Sequence, residues 1–369
     1  MKIPFLSFGF HDEIRTELQN ASNRVIDSGW FINGNEVTAF EEEWSQYLGC
    51  QSSIGVSNGL DALILSLKAL GIGSGDEVIV PSNTYVATAL AATHVGATPV
   101  FVEPNKETYN IEPERIEAAI SNKTTAIMPV HLYGHPADMV AISRIAADHG
   151  LVVIEDAAEA HGAAIGTKRV GGFGACAAFS FYANKCLTTG EGGMITTNDP
   201  ALAAKLRHLR DHAMSPDRRY WHDVPGFNYR MTNLQAALGC AQMTRAKALL
   251  DHRRRLFAAY SAALGDVPGV RLNRTAPGAQ NAYWMICLEV AGHNAAQRDA
   301  LADRLRHRGI DTRPYFHPMS AMPFLPDADT PNAHIAAQQG LNLPTYADLS
   351  DTDVAEICAI LRDEVTICA

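Results

Sequence analysis

From residue 77 to residue 154 short apolar runs alternate with helical segments, a rhythm that leaves few folds open. Glu77–Pro81, Pro99–Val102, Thr125–Val130 and Leu151–Ile154 read as strands, and helices are predicted near 112–120 and 138–149. Strands separated by helices pair through crossovers, so the expected class is α/β with a parallel sheet. Upstream, 12–28, Val37–Leu48 and Leu60–Leu70 read as helices, and Tyr85 begins a further helical region. Gly71-Ile72-Gly73-Ser74-Gly75 follows a helix and precedes a strand, the reverse of a nucleotide-binding loop, and reads as a helix C-cap and turn. Beyond residue 233 one long helical pattern runs through Leu234, Leu238, Leu249, Leu250, Leu256 and Tyr260. Gly265-Asp266-Val267-Pro268-Gly269 interrupts it and marks the predicted boundary between a large domain, 1–265, and a small α+β domain, 266–369. In the latter, Ala282–Val290 reads as a strand and Ala295–Arg308 as a helix.

Chemistry concentrates in two stretches. In Ala178-Phe179-Ser180-Phe181-Tyr182-Ala183-Asn184-Lys185-Cys186 an apolar run ends in one lysine, and Thr188-Thr189-Gly190-Glu191-Gly192-Gly193 turns the chain into a second apolar run. A lysine between two strands is partly desolvated, which lowers its pKa, and a neutral amine condenses with an aldehyde. Glycines around it let a flat ligand approach the backbone. The second stretch, Leu151-Val152-Val153-Ile154-Glu155-Asp156, is a buried-strand pattern ending in a carboxylate, at the edge where open α/β sheets hold their ligands. Such an aspartate caps a following helix or holds a protonated pyridine nitrogen. Together, Lys185 and Asp156 favour pyridoxal 5'-phosphate (PLP) as cofactor. The Gly59 that opens the Leu60–Leu70 run frees backbone N–H groups, serving as a plain N-cap or as a phosphate site. Tyr85 packs in the core or stacks on a flat ring.

These stretches, with Ser57-Asn58-Gly59-Leu60-Asp61-Ala62-Leu63, Pro81–Thr88, Glu155–Gly162 and Gly226-Phe227-Asn228-Tyr229-Arg230-Met231-Thr232-Asn233, resemble the DegT/DnrJ-type sugar aminotransferases. That family is a branch of the fold-type I PLP enzymes, and the resemblance runs over nearly the whole chain. It implies a large, mostly parallel sheet with helices on both faces, a smaller C-terminal α+β domain, and a homodimer with shared active sites. It implies that Lys185 links PLP and serves as acid and base, that Asp156 holds the ring nitrogen, and that Tyr85 stacks on the ring. Ser180 and the backbone amides of Gly59 and Leu60 would hold the phosphate, Glu159 would lie on the O3′ side, and Asn228 would reach the partner's cofactor. The amino donor would be L-glutamate or glutamine. Segments around Tyr220–Asp223, Asn228–Asn233, Tyr283–Met285 and Thr312–Pro314 resemble the family's GDP-sugar 4-aminotransferases, with Tyr229, Arg230, Arg313 and His317 as substrate contacts. Asn58–Leu63 and Pro104–Pro113 look more like the dTDP-sugar 3-aminotransferases, and a keto- or aldehydo-sugar without a nucleotide stays open. A PLP-dependent sugar dehydratase would carry histidine in place of Lys185.

A formal charge of -10 argues against a nucleic-acid partner, which needs a basic face. The longest uncharged apolar run, Val86–Val102, contains His94, Gly96 and Pro99, so no membrane span is predicted. The amino-terminal segment up to Glu13 lacks a signal-peptide core, and seven cysteines without a Cys-x-x-Cys suit reduced thiols in the cytoplasm. Cys186 is read as packing. No metal is expected: Gly134 and Pro136 break any helix carrying His131 and His135, while His208 and His212 sit on a helical run without a zinc-protease glutamate.

Overall fold

The computed structural model describes residues 2–7 and 12–366; Met1, Phe8 and His11, which entered the reading of the amino-terminal segment, lie outside the described residues. Helices α1 (Asp12–Ser28) and α2 (Asn35–Leu48) lead into β1 (Ser52–Val56) and α3 (Gly59–Ala69). The alternation continues through β2 (Glu77–Pro81), α4 (Ala87–Val95), β3 (Thr98–Val102), α5 (Pro113–Ile116), β4 (Thr124–Ile127), α6 (Met139–His149) and β5 (Val152–Asp156). A ribbon of β6 (Ala164–Ile165) and β7 (Lys168–Arg169) precedes β8 (Cys176–Ser180) and β9 (Gly193–Thr197), then α7 (Pro200–Arg210), α8 (Asn233–Met243) and α9 (Ala246–Leu264).

The large sheet has the order β1-β9-β8-β5-β4-β2-β3. From β8 to β3 every neighbour is parallel, and only β9 runs against its neighbours β8 and β1. Side chains alternate between faces, as the pleat requires. Val78, Val80, Ile154 and Ala178 meet α3, α4 and α7 on one side. Ile79, Ile127 and Val153 meet α6 on the other, and Ala177, Phe179 and Met194 meet α2 and α8 there. Both faces are thus covered, and the strands read as continuous apolar runs for that reason.

The C-terminal part adds β10 (Val270–Leu272), β11 (Ala279–Gln280), β12 (Ile286–Val290), α10 (Ala295–His307), β13 (Arg313–Pro314), α11 (Pro331–Gln339), β14 (Gly340–Leu343) and α12 (Asp351–Thr366). Four of these strands form an antiparallel sheet, β10-β12-β14-β13, while β11 pairs with β6.

Several expectations are corrected. The long helix breaks at Thr244 and Arg245 into α8 and α9. Helix α9 serves both units: Ala246 packs with α2, whereas Leu256, Tyr260 and Leu264 join Ile3, Ile286 and Leu288 in the C-terminal core. In the turn at 265–269 only Val267 is buried, and it packs in that same C-terminal core. The strand predicted at Ala282–Val290 begins only at Ile286. Ala282 donates its N–H to the Gly134 carbonyl (2.9 Å) and Tyr283 takes a positive φ of 49°, which carries Trp284 out of the sheet. The helix predicted at 112–120 is one α turn followed by a 3₁₀ turn, and Tyr85 lies two residues ahead of α4.

Candidate active site

The segment 181–192 joins two buried strands, β8 and β9, and is pinned from within and from outside. Phe181 N–H donates to the Gly192 carbonyl (2.8 Å) and Thr189 N–H to the Phe181 carbonyl (2.9 Å). Gln242, reaching from α8, accepts from Thr188 N–H (3.0 Å) and donates back to the Thr188 carbonyl. Lys185 is held within this frame by its N–H to the Tyr182 carbonyl (2.9 Å). It is half-buried, and its Nζ lies 3.8 Å from the centroid of the Trp284 indole. Burial lowers the amine's pKa, while the carboxylates Glu159 and Asp156 draw it back up.

Asp156 closes β5 and is in register with Ala178 of β8, so Asp156 and Ser180 emerge on the same carboxyl edge of the sheet. Thr88 Oγ1 donates to Asp156 Oδ2 (2.7 Å) and Ala158 N–H to Oδ1 (3.2 Å). Burial raises this carboxyl's pKa; the two hydrogen bonds and Lys185 oppose the rise. Glu159 Oε2 accepts the N–H of Tyr133 (2.7 Å), and burial pushes its pKa up to about 7. His161, packed edge-on against Trp44, is pushed down by burial to about 3.

The third component is the start of α3. Asn58 caps it, its Oδ1 accepting Asp61 N–H (2.9 Å). A Cβ on Gly59 would fall 2.9 Å from the Ser180 Cβ, so the absence of a side chain lets the helix N-terminus close on the end of β8. The Ser180 hydroxyl and the leading amides of α3 consequently face one space.

That space is a cavity of about 660 Å³. It brings together Gly59, Leu60, Tyr85, Asp156, Glu159, Ser180 and Lys185 of the residues singled out from the sequence. Tyr85 is 60% exposed, with its ring 5.9 Å from Phe316. Sequence reasoning assigned no role to Thr88, Tyr182, Glu191, Trp284 or Phe316. Thr88, Trp284 and Phe316 all stand in stretches that carried the resemblance or flank it; nothing local marks their direction.

Five predicted residues, Asn228 among them as expected of a residue assigned to a partner's site, lie outside this cavity lining. Asn228 is exposed, its backbone bridged to Asp211. Tyr229 stacks on Phe227 (4.7 Å, 20°) while its carbonyl accepts from Ser57 N–H (2.9 Å). Arg230 is committed to an ion pair with Asp211, which also accepts from Asn33 Nδ2 (2.8 Å). Arg313 is exposed, paired with Asp311 (2.5 Å). His317 lies in a separate depression with Arg298 and His334; its neighbour Phe316 faces the cavity instead. His131 Nε2 sits 3.2 Å from Glu155 Oε2, and His135 Nδ1 2.9 Å from Asn110 Nδ2. His212, with φ 60°, lies beyond the end of α7, so it shares no helical face with His208.

Comparison with known proteins gives a consistent result. The sequence model of the DegT/DnrJ/EryC1/StrS aminotransferase family matches residues 12–362. A GDP-perosamine synthase of Caulobacter vibrioides is 45% identical over 348 residues, 93% of this chain and 93% of that protein. The dTDP-3-amino-3,4,6-trideoxy-alpha-D-glucose transaminase of Streptomyces venezuelae is 39% identical over 98% of this chain and 96% of its own length. Among solved structures, the PLP form of Spr1654 from Streptococcus pneumoniae superposes with a TM-score of 0.93 at 25% identity, covering 100% of both chains, and its PMP form has the same TM-score over 100% of this chain and 98% of that one.

Proposed function

The chain belongs to the DegT/DnrJ/EryC1/StrS aminotransferase family, a PLP-dependent group, and from this we propose that it transfers an amino group from L-glutamate to C4 of a nucleotide-linked 4-keto-6-deoxyhexose. GDP-4-keto-6-deoxymannose is the leading candidate acceptor. The observation that carries the reading is the single cavity holding Lys185, Asp156, Ser180 and the start of α3.

The residues present fit PLP. The cradle between Gly59 and Ser180 has no room for a Cβ, and it presents a hydroxyl and helix-start amides, the donor set a phosphate needs. The buried Asp156 carboxylate, oriented by Thr88 and Ala158, suits a protonated ring nitrogen. Bound there, PLP supplies a carbonyl carbon that carries the amine and a ring that withdraws electrons. Lys185 acts as base and acid, taking a proton from the substrate carbon and returning it one atom away; burial favours the neutral amine that can take that proton. With the cofactor bound, Asp156 would hold the ring nitrogen in its charged form, Tyr85 would supply a flat face for the ring, and Glu159 is assigned to the phenolic oxygen. Asn228 is assigned to the phosphate of a second copy's cofactor in a homodimer, since it is exposed and outside its own cavity.

Amination at C4 is supported by the 45% identity to the perosamine synthase and by the similar segments around Asn228 and Trp284. Amination at C3 is the second reading, favoured by 39% identity to the dTDP-sugar transaminase over 98% of the chain. The test is competition between GDP-4-keto-6-deoxymannose and dTDP-3-keto-6-deoxyglucose with glutamate as donor, read by NMR of the product. A new amine at C4 of the GDP-sugar is expected. An amine only at C3, or no reaction with any 4-keto sugar, overturns the assignment.

A further inference from the structure

We propose that Trp284 is a positioning residue for Lys185: a single indole, delivered by the C-terminal part of the chain, holds both the backbone and the amine of the lysine segment. Two contacts on one side chain carry the inference. The indole Nε1–H donates to the Asn184 carbonyl (3.0 Å), one residue before Lys185. The ring face meets Lys185 Nζ at 3.8 Å from the centroid. The indole is itself held firmly. It is 5% exposed; Tyr133 lies nearly parallel to it (6.4 Å, 16°); and its own carbonyl accepts from the buried Arg253 (3.0 Å). The turn that delivers it is fixed by the positive φ of Tyr283 and by Tyr283 N–H donating to Asn281 Oδ1 (2.8 Å). Tyr133 also ties this wall to the carboxylates, since its N–H donates to Glu159.

The chemical consequence is a bias on the amine. An aromatic face attracts an ammonium and is indifferent to a neutral amine, so Trp284 opposes the effect of burial and raises the pH at which Lys185 deprotonates. The other groups that act on this amine are Asp156 at the end of β5, Glu159 and His161 in the turn after it, and Cys186 beside it; Glu191 lines the same cavity. Those carboxylates are fixed by bonds to Thr88, Ala158 and Tyr133, so loss of the indole leaves them in place.

The inference rests on Lys185 being the residue that links PLP, and its test separates the two. Full-length apoprotein is mixed with PLP, and the rate of appearance of the visible band of lysine-linked cofactor is followed against pH. The midpoint reports deprotonation of the amine. Trp284→Leu is expected to lower that midpoint by about one pH unit relative to wild type, the size of a desolvated cation–π contact. Protein made with 5-fluorotryptophan and with a difluorotryptophan keeps the packing, and its midpoint is expected to fall in graded steps; this arm decides the matter if Trp284→Leu fails to fold. A midpoint unchanged in the fluorinated proteins overturns the proposal, as does a Leu variant that is slower at every pH without a shift. Lys185→Ala must give no band. If it gives one, the assignment of Lys185 itself fails, and the role of Trp284 falls with it.

Discussion

Asp156 and Glu159 stand three residues apart, and burial raises the pKa of both carboxyls against different opposition. At Asp156 burial raises the pKa, while a hydroxyl, an amide and Lys185 favour the charged carboxylate and offset part of the rise. Glu159 receives one amide, and burial dominates, lifting its pKa from 4.5 to about 7. The sign of the linked stability follows. Between those two values the unfolded chain has lost this proton while the folded chain retains it, so the contribution of Glu159 to stability falls as pH rises through that window. Glu159→Gln has no proton to lose. The melting temperature of its apoprotein, compared with wild type, is expected to gain steadily from pH 5 to pH 7.5 and then level off. A difference that stays flat or shrinks over that range contradicts the raised pKa.

At the scale of elements, α8 presses on α2, and this contact seats the 226–233 loop that precedes α8. A Cβ on Gly239 would fall 2.5 Å from the Phe40 ring, which is fully buried and backed by Phe181 at 5.0 Å. Two effects compete in Gly239→Ala. Alanine in a helix interior gains about 1 kcal/mol over glycine. Overpacking against an immobile ring costs about 1–3 kcal/mol. The clash is with a ring that has nowhere to go, so a net loss of roughly 1 kcal/mol is expected. Denaturant unfolding measures it, and a variant more stable than wild type would show that α8 can slide outward. Helix α3 shows the same logic at the site: Asn58 caps it and Gly59 permits its approach, so its N-terminus is placed by one polar bond and one missing methyl group.

The whole molecule is knit across its two units. The hydroxyls of Ser82, Ser320 and Thr330 form a closed buried triangle (2.8–3.1 Å) between the end of β2 and the segment that follows Phe316. With α9 shared between cores, this lets the C-terminal part supply Trp284 and Phe316 as cavity walls. Among the described residues the cavity lining holds one cation, Lys185, beside Asp156, Glu159 and Glu191, so a phosphate there relies on the Ser180 hydroxyl and the amides of α3. A second copy is proposed to add the Asn228 amide as a further hydrogen-bond donor, and subunit mixing tests it. Lys185→Ala and Asn228→Ala chains are each expected to be impaired. Their heterodimers should regain about a quarter to a half of wild-type activity, because one of two sites then lacks both substitutions. Confirmed heterodimers with no regained activity, alongside an impaired Asn228→Ala parent, count against a shared site.

Much of this protein is written locally. Period and punctuation place the strands β2 to β5 and the helices between them to within a few residues, because a strand buried on both faces must be apolar throughout and a crossover helix must follow it. Lys185 and Asp156 were legible for a related reason: each ends an apolar run, so each lands on the carboxyl edge of the sheet whatever the details of packing. What local pattern leaves open is direction and distance. Arg230 and Arg313 stand in segments that resemble sugar-binding ones, and their pairing with Asp211 and Asp311 is not visible in those segments alone. Phe316 and His317 are adjacent in the chain, yet only the first faces the cavity. Trp284 sits in what reads as a strand, and its place beneath the lysine amine comes from a turn fixed by nearby Asn281 and by Gly134, a contact far away in sequence. Sequence by itself determines which residues can be buried and which edge they reach. Tertiary structure alone decides which of them meet, because a contact between distant segments depends on how whole elements pack, and no short stretch of chain carries that information.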